Sequence, residues 1–574
     1  MNENTLRIAL AQMDVKAGQP TQNFETMADF VEKARSAGAD IAVFPRKCLG
    51  GSFIGNRSND SEFLSYLASF NEKLAGLSSD ITIVYGNVVS EPGFPERAFL
   101  ASDGVVECDL ADGFALDRVG IQARIGVSLG NASAVAQDCG VQLVLDARPF
   151  ILHGGPSVAE EFAAGVAETG ASPLLVHVNC VGMQGTDKAV LSFDGDSAVY
   201  GPDGSRIASC REDFEEDLLV VSVHLEDKQV ECVASSNVPR YDDEDEKVLD
   251  GIVSALRRFD EQVFPFHPKW VIGLSGGLDS SVTAALMCLA FGGPERIVGY
   301  NLATRYNSDA TKMNAYELAQ ALGISLVNGS IEEIVAATGT VMGLYGYPEE
   351  RLGGLVQENI QARLRGHMLS TFAAVEGGVI MNNGNKIEAA LGYATLYGDA
   401  VGAIAPIGDV TKVRLFNISR IINRRLGVEA VPMNLVPEET EDGYNWETMP
   451  SAELKDAQRD PMKWFYHDWL VERLLDEEGF GIEDLMEGYL NDRLQSSDVA
   501  KWVHFYGLDD PQAFIEDIEW VLKQMAGSAF KRVQMPPTIM VVRNAYGYEN
   551  RENQVRFERT ARYEDLKRRI LSMG

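Results

Sequence analysis

Residues 270–291 run from an apolar triplet, Trp270-Val271-Ile272, through Gly273-Leu274-Ser275-Gly276-Gly277-Leu278-Asp279-Ser280-Ser281 into an apolar segment, Val282 to Phe291. The pattern predicts a short buried strand, a glycine-rich turn and a helix. Backbone N–H groups and a helix N-terminus then surround one small concavity, which suits a phosphate chain. Gly276 and Gly277 let the backbone approach an anion closely. No Gly-Lys-Ser/Thr is present, so this is not the Walker loop that handles a γ-phosphate. The turn carries Asp279 instead, an acid that bound phosphates would repel unless a divalent metal lay between them.

The chain has 574 residues, enough for two or more domains with separate cores. Residues 1–235 alternate short apolar strands (Ile41–Phe44, Ile81–Tyr85, Gln142–Leu145, Leu174–Val178, Leu218–Val223) with helix-like segments. The acidic stretch within 236–247 is the expected linker. From 248 to 574 the order becomes a helix over 248–263, then strands at 270–274, 297–301, 324–327 and 378–382 separated by helices. That order predicts an α/β fold with a doubly wound parallel sheet, and ligands at the C-terminal ends of its strands. The acidic, turn-rich segment 437–449 is expected to be a loop over the site or on the surface.

A formal charge of −34 argues against non-specific binding to nucleic acid or an anionic membrane. An anionic substrate must therefore be captured by local Arg and Lys. There is no apolar run of spanning length, and residues 6–12 read as a first strand, not a signal core. Seven scattered cysteines without a CxxC pair imply neither a zinc ribbon nor a disulfide framework, and a cytoplasmic location fits best.

Further stretches of the second half extend the pattern. They are Glu-Asn-Ile-Gln-Ala-Arg at 358–363, Gly-Asn-Lys-x-Glu at 384–388, Gly-Tyr-Ala-Thr-Leu-Tyr-Gly-Asp at 392–399, Asp-Val-Thr-Lys at 409–412, Pro-Ser-Ala-Glu-Leu at 450–454 and Phe-Lys-Arg-x-Gln-x-Pro-Pro at 530–537. With the loop at 273–280, this series resembles the NAD synthetases, members of the N-type ATP pyrophosphatases with an adenine nucleotide alpha hydrolase (Rossmann-like) fold. The resemblance implies that Gly273, Leu274, Ser275, Gly276, Gly277, Leu278, Asp279 and Ser280 hold ATP phosphates, and that Asp279 and Glu388 bind Mg²⁺. It further implies that Asn383, Lys412 and Ser451 contact ATP, and that Arg363, Asp399 and Lys531 contact deamido-NAD (nicotinate adenine dinucleotide). Asp279, Glu388 and Lys386 are the expected catalytic residues. Arg363 and Arg365 lie two apart and point to different helix faces, so one is expected at the ligand and the other in the structure. Asn383 stands where the family has Thr and Ile387 where it has Ser, which implies a retuned nucleotide site.

Residues 5–225 resemble a nitrilase-like glutaminase domain, an α-β-β-α sandwich, through Ala9-Leu10-Ala11-Gln12-Met13, the stretch Gly38 to Pro45, Val178-Asn179-Cys180-Val181-Gly182 and Phe193-Asp194-Gly195-Asp196-Ser197. Such a domain hydrolyses an amide with a Cys nucleophile, a Glu base and a Lys at the oxyanion. Here Arg46 follows Phe44-Pro45 where the family has the Glu, and Gly130 stands where it has the Cys. The stretch expected to lead to the Lys, between 105 and 118, has none. The expectation is ammonia-dependent amidation of deamido-NAD to NAD through an acyl-adenylate, with AMP and pyrophosphate released. Implied partners are ammonia, a second copy of the chain in a homo-oligomer, and a separate glutaminase. The alternatives are a glutamine-dependent enzyme using another nucleophile, Cys48 or Cys139, and a non-catalytic dinucleotide-binding derivative. His267 and His467 read as structural, and Lys531-Arg532 as a basic pair at the ligand.

Overall fold

A computed structural model describes residues 5–108, 110, 112–118, 121–130, 139–152, 155–170, 173–235, 241–455, 458–476, 479–542 and 558–573. The chain divides into two compact units, Met1–Thr186 with Val190–Arg258, and Asp187–Ala189 with Phe259–Gly574.

The first unit is built on two sheets. Seven strands lie in the order Val230–Ala234, Asp217–His224, Thr5–Gln12, Ile41–Val43, Thr82–Val88, Glu96–Ser102 and Val105–Glu107. Six lie in the order Arg206–Ser209, Ala198–Tyr200, Leu174–Val178, Val141–Leu145, Ile121–Leu129 and Phe114–Arg118. Leu6, Ile8, Leu10, Val43 and Val84 of one sheet share a buried core with Val127, Leu143, Val176 and Val199 of the other. The helix Val158–Glu168 turns Ala159, Ala163 and Val166 onto Leu175, Ala198 and Tyr200 of the six-stranded sheet. The helix Ser61–Gly76 packs against the strand Thr82–Val88 of the seven-stranded one. The result is the expected α-β-β-α sandwich.

The second unit is centred on four parallel strands in the order Ser325–Ser330, Ile297–Ala303, Lys269–Gly273 and Gly378–Met381. The chain adds strands to one side of Lys269–Gly273 and then returns to its other side. The topological switch point therefore lies between Lys269–Gly273 and Gly378–Met381, where open parallel sheets bind ligands.

The expected linker differs. Residues 236–240 lie outside the described residues, and the acidic run opens the helix Glu244–Val263, with Glu244, Asp245 and Glu246 in its first turn. Carboxylates there face the positive end of the helix dipole, so the charge run starts a helix instead of a solvated tether. The segment 437–449 contains a short hairpin, Glu438–Thr440 with Gly443–Asn445. Among the described residues no helix is long and apolar enough to cross a membrane.

Candidate active site

At the switch point a cavity of about 350 Å³ opens between the loop after Lys269–Gly273 and the turn after Gly378–Met381. Gly276 has a φ of +82°, and a Cβ there would sit 1.8 Å from the Thr311 carbonyl oxygen, so only glycine fits. The helix Leu278–Phe291 has Gly277 at its N-cap and no side-chain cap. Its first-turn amides therefore stay available to an anion. Of the expected phosphate loop, every residue but Gly276 lines the cavity.

Asp279 sits in the first turn of that helix. Its Oδ2 accepts from Lys412 Nζ at 2.5 Å, and its Oδ1 accepts from Asn385 Nδ2 at 3.1 Å. Asn385 also caps the helix Lys386–Leu391: its Oδ1 accepts from the Glu388 amide at 3.0 Å, while Glu388 Oε2 accepts from the Asn385 amide at 3.2 Å. This capping box aims Glu388 into the cavity beside Asp279. Burial, and then the neighbouring Asp279 charge, push the Glu388 carboxyl well above its ordinary range. Lys412 keeps its proton: burial opposes the charge, but Asp279 and Glu388 outweigh it and raise the ammonium.

The structure adds a carboxylate that sequence reasoning missed. Asp460 lines the same cavity and accepts from Tyr393 Oη at 3.0 Å. Burial raises it, with the Lys412 charge opposing. Nothing periodic marks Asp460 in the sequence; it reaches the site from a loop far along the chain.

Asp279, Glu388 and Asp460 present hard oxygen donors whose mutual repulsion a cation would relieve. Among the described residues no group of three His, Cys, Asp or Glu could hold a metal by itself. This donor set fits Mg²⁺ shared with phosphate oxygens, since Mg²⁺ uses few carboxylates and completes its shell with substrate.

Asn383 and Ser451 line the cavity as expected. Asn383 Nδ2 donates to the Gly273 carbonyl at 2.8 Å, and its Oδ1 is buried without a hydrogen-bond partner among the described residues. Asp399 lines the cavity too, raised by burial and accepting from the Thr395 amide at 2.5 Å.

Three expected residues take other places. Lys386 is wholly buried and ion-paired with Asp409 at 3.2 Å, and it is absent from the cavity wall. At the first position of its helix its side chain points into the protein and not into the cavity. Arg363 is exposed, its Nε donating to the Leu396 carbonyl at 3.3 Å. Its neighbour Arg365 lines the cavity instead, with Nη2 on Asn307 Oδ1 at 3.2 Å and its guanidinium lowered by burial to about 10. Lys531 donates to the Gly392 and Ala394 carbonyls at 2.8 and 2.7 Å, bracing the turn whose Tyr393 and Ala394 face the cavity. Ile387, the other departure from the family pattern, is fully buried core.

In the first unit the two substituted positions meet. Gly130 has a φ of +67°, and a Cβ there would lie 3.1 Å from Arg46 Nη1 and 4.0 Å from Asp146 Oδ1. Asn131 and Ala132 lie outside the described residues. Arg46 is held by a two-pronged bond to Glu96, Nε to Oε1 at 2.9 Å and Nη2 to Oε2 at 2.8 Å. That bond raises its guanidinium further. Where the resemblance leads one to expect a proton acceptor opposite a thiol, this unit has a permanent cation opposite a hydrogen atom. Cys48 is fully buried, and burial pushes its thiol up to about 12. Burial also raises Cys139. Neither has the lowered pKa that an activated thiolate requires.

Residues 258–504 match the NAD synthase family. The glutamine-dependent NAD(+) synthetase of Xanthomonas campestris is 26% identical over 589 residues, covering 96% of this chain and 97% of that protein. That of Rhodobacter capsulatus is 29% identical over 79% of this chain and 84% of its own length. Among solved structures, a glutamine-dependent NAD(+) synthetase from Cytophaga hutchinsonii superposes with a TM-score of 0.74 at 16% identity, covering 99% of this chain and 100% of that one. The glutamine-dependent NAD+ synthetase of Acinetobacter baumannii, in complex with ADP, gives 0.66 at 22% identity, covering 95% and 98%. Residues 258–504 therefore carry an NAD synthase domain, in a chain that is similar along nearly its whole length to glutamine-dependent NAD synthetases and shares their two-unit fold.

Proposed function

We propose that this protein amidates deamido-NAD to NAD at the cost of ATP, taking ammonia directly instead of hydrolysing glutamine. A carboxylate resists amidation because its leaving group would be oxide. Attack of the nicotinate carboxylate on the α-phosphorus forms an acyl-adenylate and releases pyrophosphate; ammonia then attacks the carbonyl and AMP leaves.

The residues of the cavity serve that sequence by position and charge. The uncapped amides of 278–280 cradle phosphate oxygens, and Lys412 lies within reach of the same chain through its contact with Asp279. Arg365 and Asn383 also line the cavity, for the remaining anionic and polar groups of the two nucleotides. Asp279 and Glu388, with Asp460 beside them, would hold Mg²⁺, which supplies charge neutralisation for the departing pyrophosphate.

The relatives are named for glutamine. The observation that carries the ammonia reading is Gly130 opposite Arg46, with Arg46 locked to Glu96. Loss of a single member of a hydrolase triad costs about 10⁴- to 10⁶-fold in kcat, and here the nucleophile and the base are both gone. Purified protein supplied with deamido-NAD, ATP and Mg²⁺ tests the reading: NAD should form with ammonium and not with glutamine.

The same reading includes self-association through the synthetase unit. Leu344 at 82%, Tyr345 at 77%, Leu355 at 71% and Val375 at 78% exposure lie along the helices Glu332–Leu344 and Leu355–Glu376 and the turns at their ends. So much large apolar surface on one helix pair suits a second copy. Sedimentation of the full chain should find a dimer or larger. A cytoplasmic setting agrees with cysteines that stand outside disulfides.

A further inference from the structure

Lys412 opens the helix Lys412–Leu426, with Thr411 at the N-cap. This is an awkward place for an ammonium, because the positive end of the helix dipole opposes its charge. The N-cap gives no relief: Thr411 makes no side-chain cap, and its Oγ1 donates instead to Glu472 Oε1 at 3.0 Å. The cap comes from a different helix, Tyr466–Asp476. Its Asp468 is buried, and Oδ1 accepts from the Val413 amide at 3.1 Å. Asp468 Oδ2 is buried with no hydrogen-bond partner among the described residues. The capping helix is itself pinned. His467 Nδ1 accepts from the Lys463 amide at 3.0 Å, His467 Nε2 contacts Asp517 at 3.2 Å, and Lys463 pairs with Asp517.

We propose that Asp468, with Glu472 as a second tie through Thr411, is a positioning residue for the reaction: it supplies from outside the N-cap that this helix lacks, and so holds Lys412 over Asp279 and the phosphate loop. A carboxylate at a helix start stabilises the first turn whichever element provides it. Asp468 lies outside the cavity wall, so it acts through Lys412 and touches no ligand. The inference rests on the reading that Lys412 serves ATP.

The test uses the full chain, with α,β-methylene-ATP and Mg²⁺ as the binding probe and steady-state kinetics beside it. Asp468→Asn keeps an acceptor for the Val413 amide and should bind the probe within about threefold of wild type. Asp468→Leu removes the acceptor. It should weaken the probe and raise KM for ATP about tenfold or more, with KM for deamido-NAD nearly unchanged. A folded Asp468→Leu protein with wild-type probe affinity overturns the proposal, as does an Asp468→Asn protein that melts like wild type yet loses the probe. Should Asp468→Leu not fold, Thr411→Val cuts the second tie. It should raise KM for ATP about threefold and leave KM for deamido-NAD in place; an unchanged KM for ATP counts against the proposal. A wild type that binds the probe but makes no NAD would remove the functional reading, while the binding arm still decides the role of Asp468.

Discussion

Gly130 faces Arg46 across the end of the six-stranded sheet: a Cβ built on Gly130 would lie 3.1 Å from Arg46 Nη1. Both positions are fixed by the backbone around the strand Val141–Leu145. The Gly130 amide donates to the Leu145 carbonyl at 2.7 Å and the Arg46 amide to the Asp146 carbonyl at 3.0 Å. On the proposed reading, the sandwich is kept while an ion pair, Arg46 with Glu96, stands where the hydrolytic groups are expected.

Restoring the thiol alone should not restore hydrolysis. Gly130→Cys places a side chain at a φ of +67° and against a guanidinium. We expect no ammonia release from glutamine above background, and ammonium-driven NAD synthesis within about twofold of wild type. A coupled ammonia assay on the purified variant checks both.

The phosphate loop depends on one glycine. Gly276→Ala drives a Cβ to 1.8 Å from the Thr311 carbonyl. The expected cost is about 2–4 kcal/mol of stability with loss of ATP-analogue binding, read by denaturant titration and calorimetry.

Glu388→Gln retains the reach needed for the capping box but removes a charge that would hold Mg²⁺. The variant should fold normally, need more Mg²⁺ for half-maximal rate, and lose about 10²-fold or more in kcat. A Mg²⁺ titration of the initial rate measures it.

Lys386 separates a structural from a catalytic lysine. Lys386→Met leaves Asp409 buried without its lysine, though the Val541 and Val542 amides still donate to Oδ2 at 2.8 and 2.9 Å. We expect a loss of about 3 kcal/mol in stability. The rate per folded molecule should stay near wild type; thermal melts and active-site titration distinguish the two.

The buried pair His177–Asp146, 3.3 Å apart, sets a pH window for the first unit. Burial opposes both charges, yet their mutual hydrogen bond wins: His177 is raised and Asp146 lowered. A raised His stabilises fully below its unfolded pKa, about 6.5, and its contribution is lost as pH climbs through the folded value. A lowered Asp stabilises fully above about 3.9 and fails as pH falls through its folded value. The pair therefore contributes most between about pH 4 and 6.5; His177→Gln should lower the denaturation midpoint most in that range and lessen its fall as pH rises above about 6.5.

The sequence carried much of this structure, because the features concerned are local. The phosphate loop was legible from Gly276, Gly277 and Asp279 following an apolar strand, and the switch point from the order of apolar runs. Arg363 and Arg365 show where local reading stops: helical spacing separates their faces, but only the packed helix Leu355–Glu376 shows that Arg365 lines the cavity. Lys386 belongs to a recognisable motif, and its inward turn onto Asp409 is a tertiary fact. Asp460 and Asp468 join the site or its support from distant segments, where no spacing announces them. The acidic stretch within 236–247 reads as a linker, but three of its carboxylates favour a helix start instead.

The central claim is best tested by following NAD formation from deamido-NAD, ATP and Mg²⁺ with either ammonium or glutamine as the nitrogen source. Turnover with ammonium and none with glutamine is the predicted result. Glutamine-driven turnover by the purified chain would mean that a nucleophile other than position 130 operates, and would contradict the reading of Arg46 and Gly130.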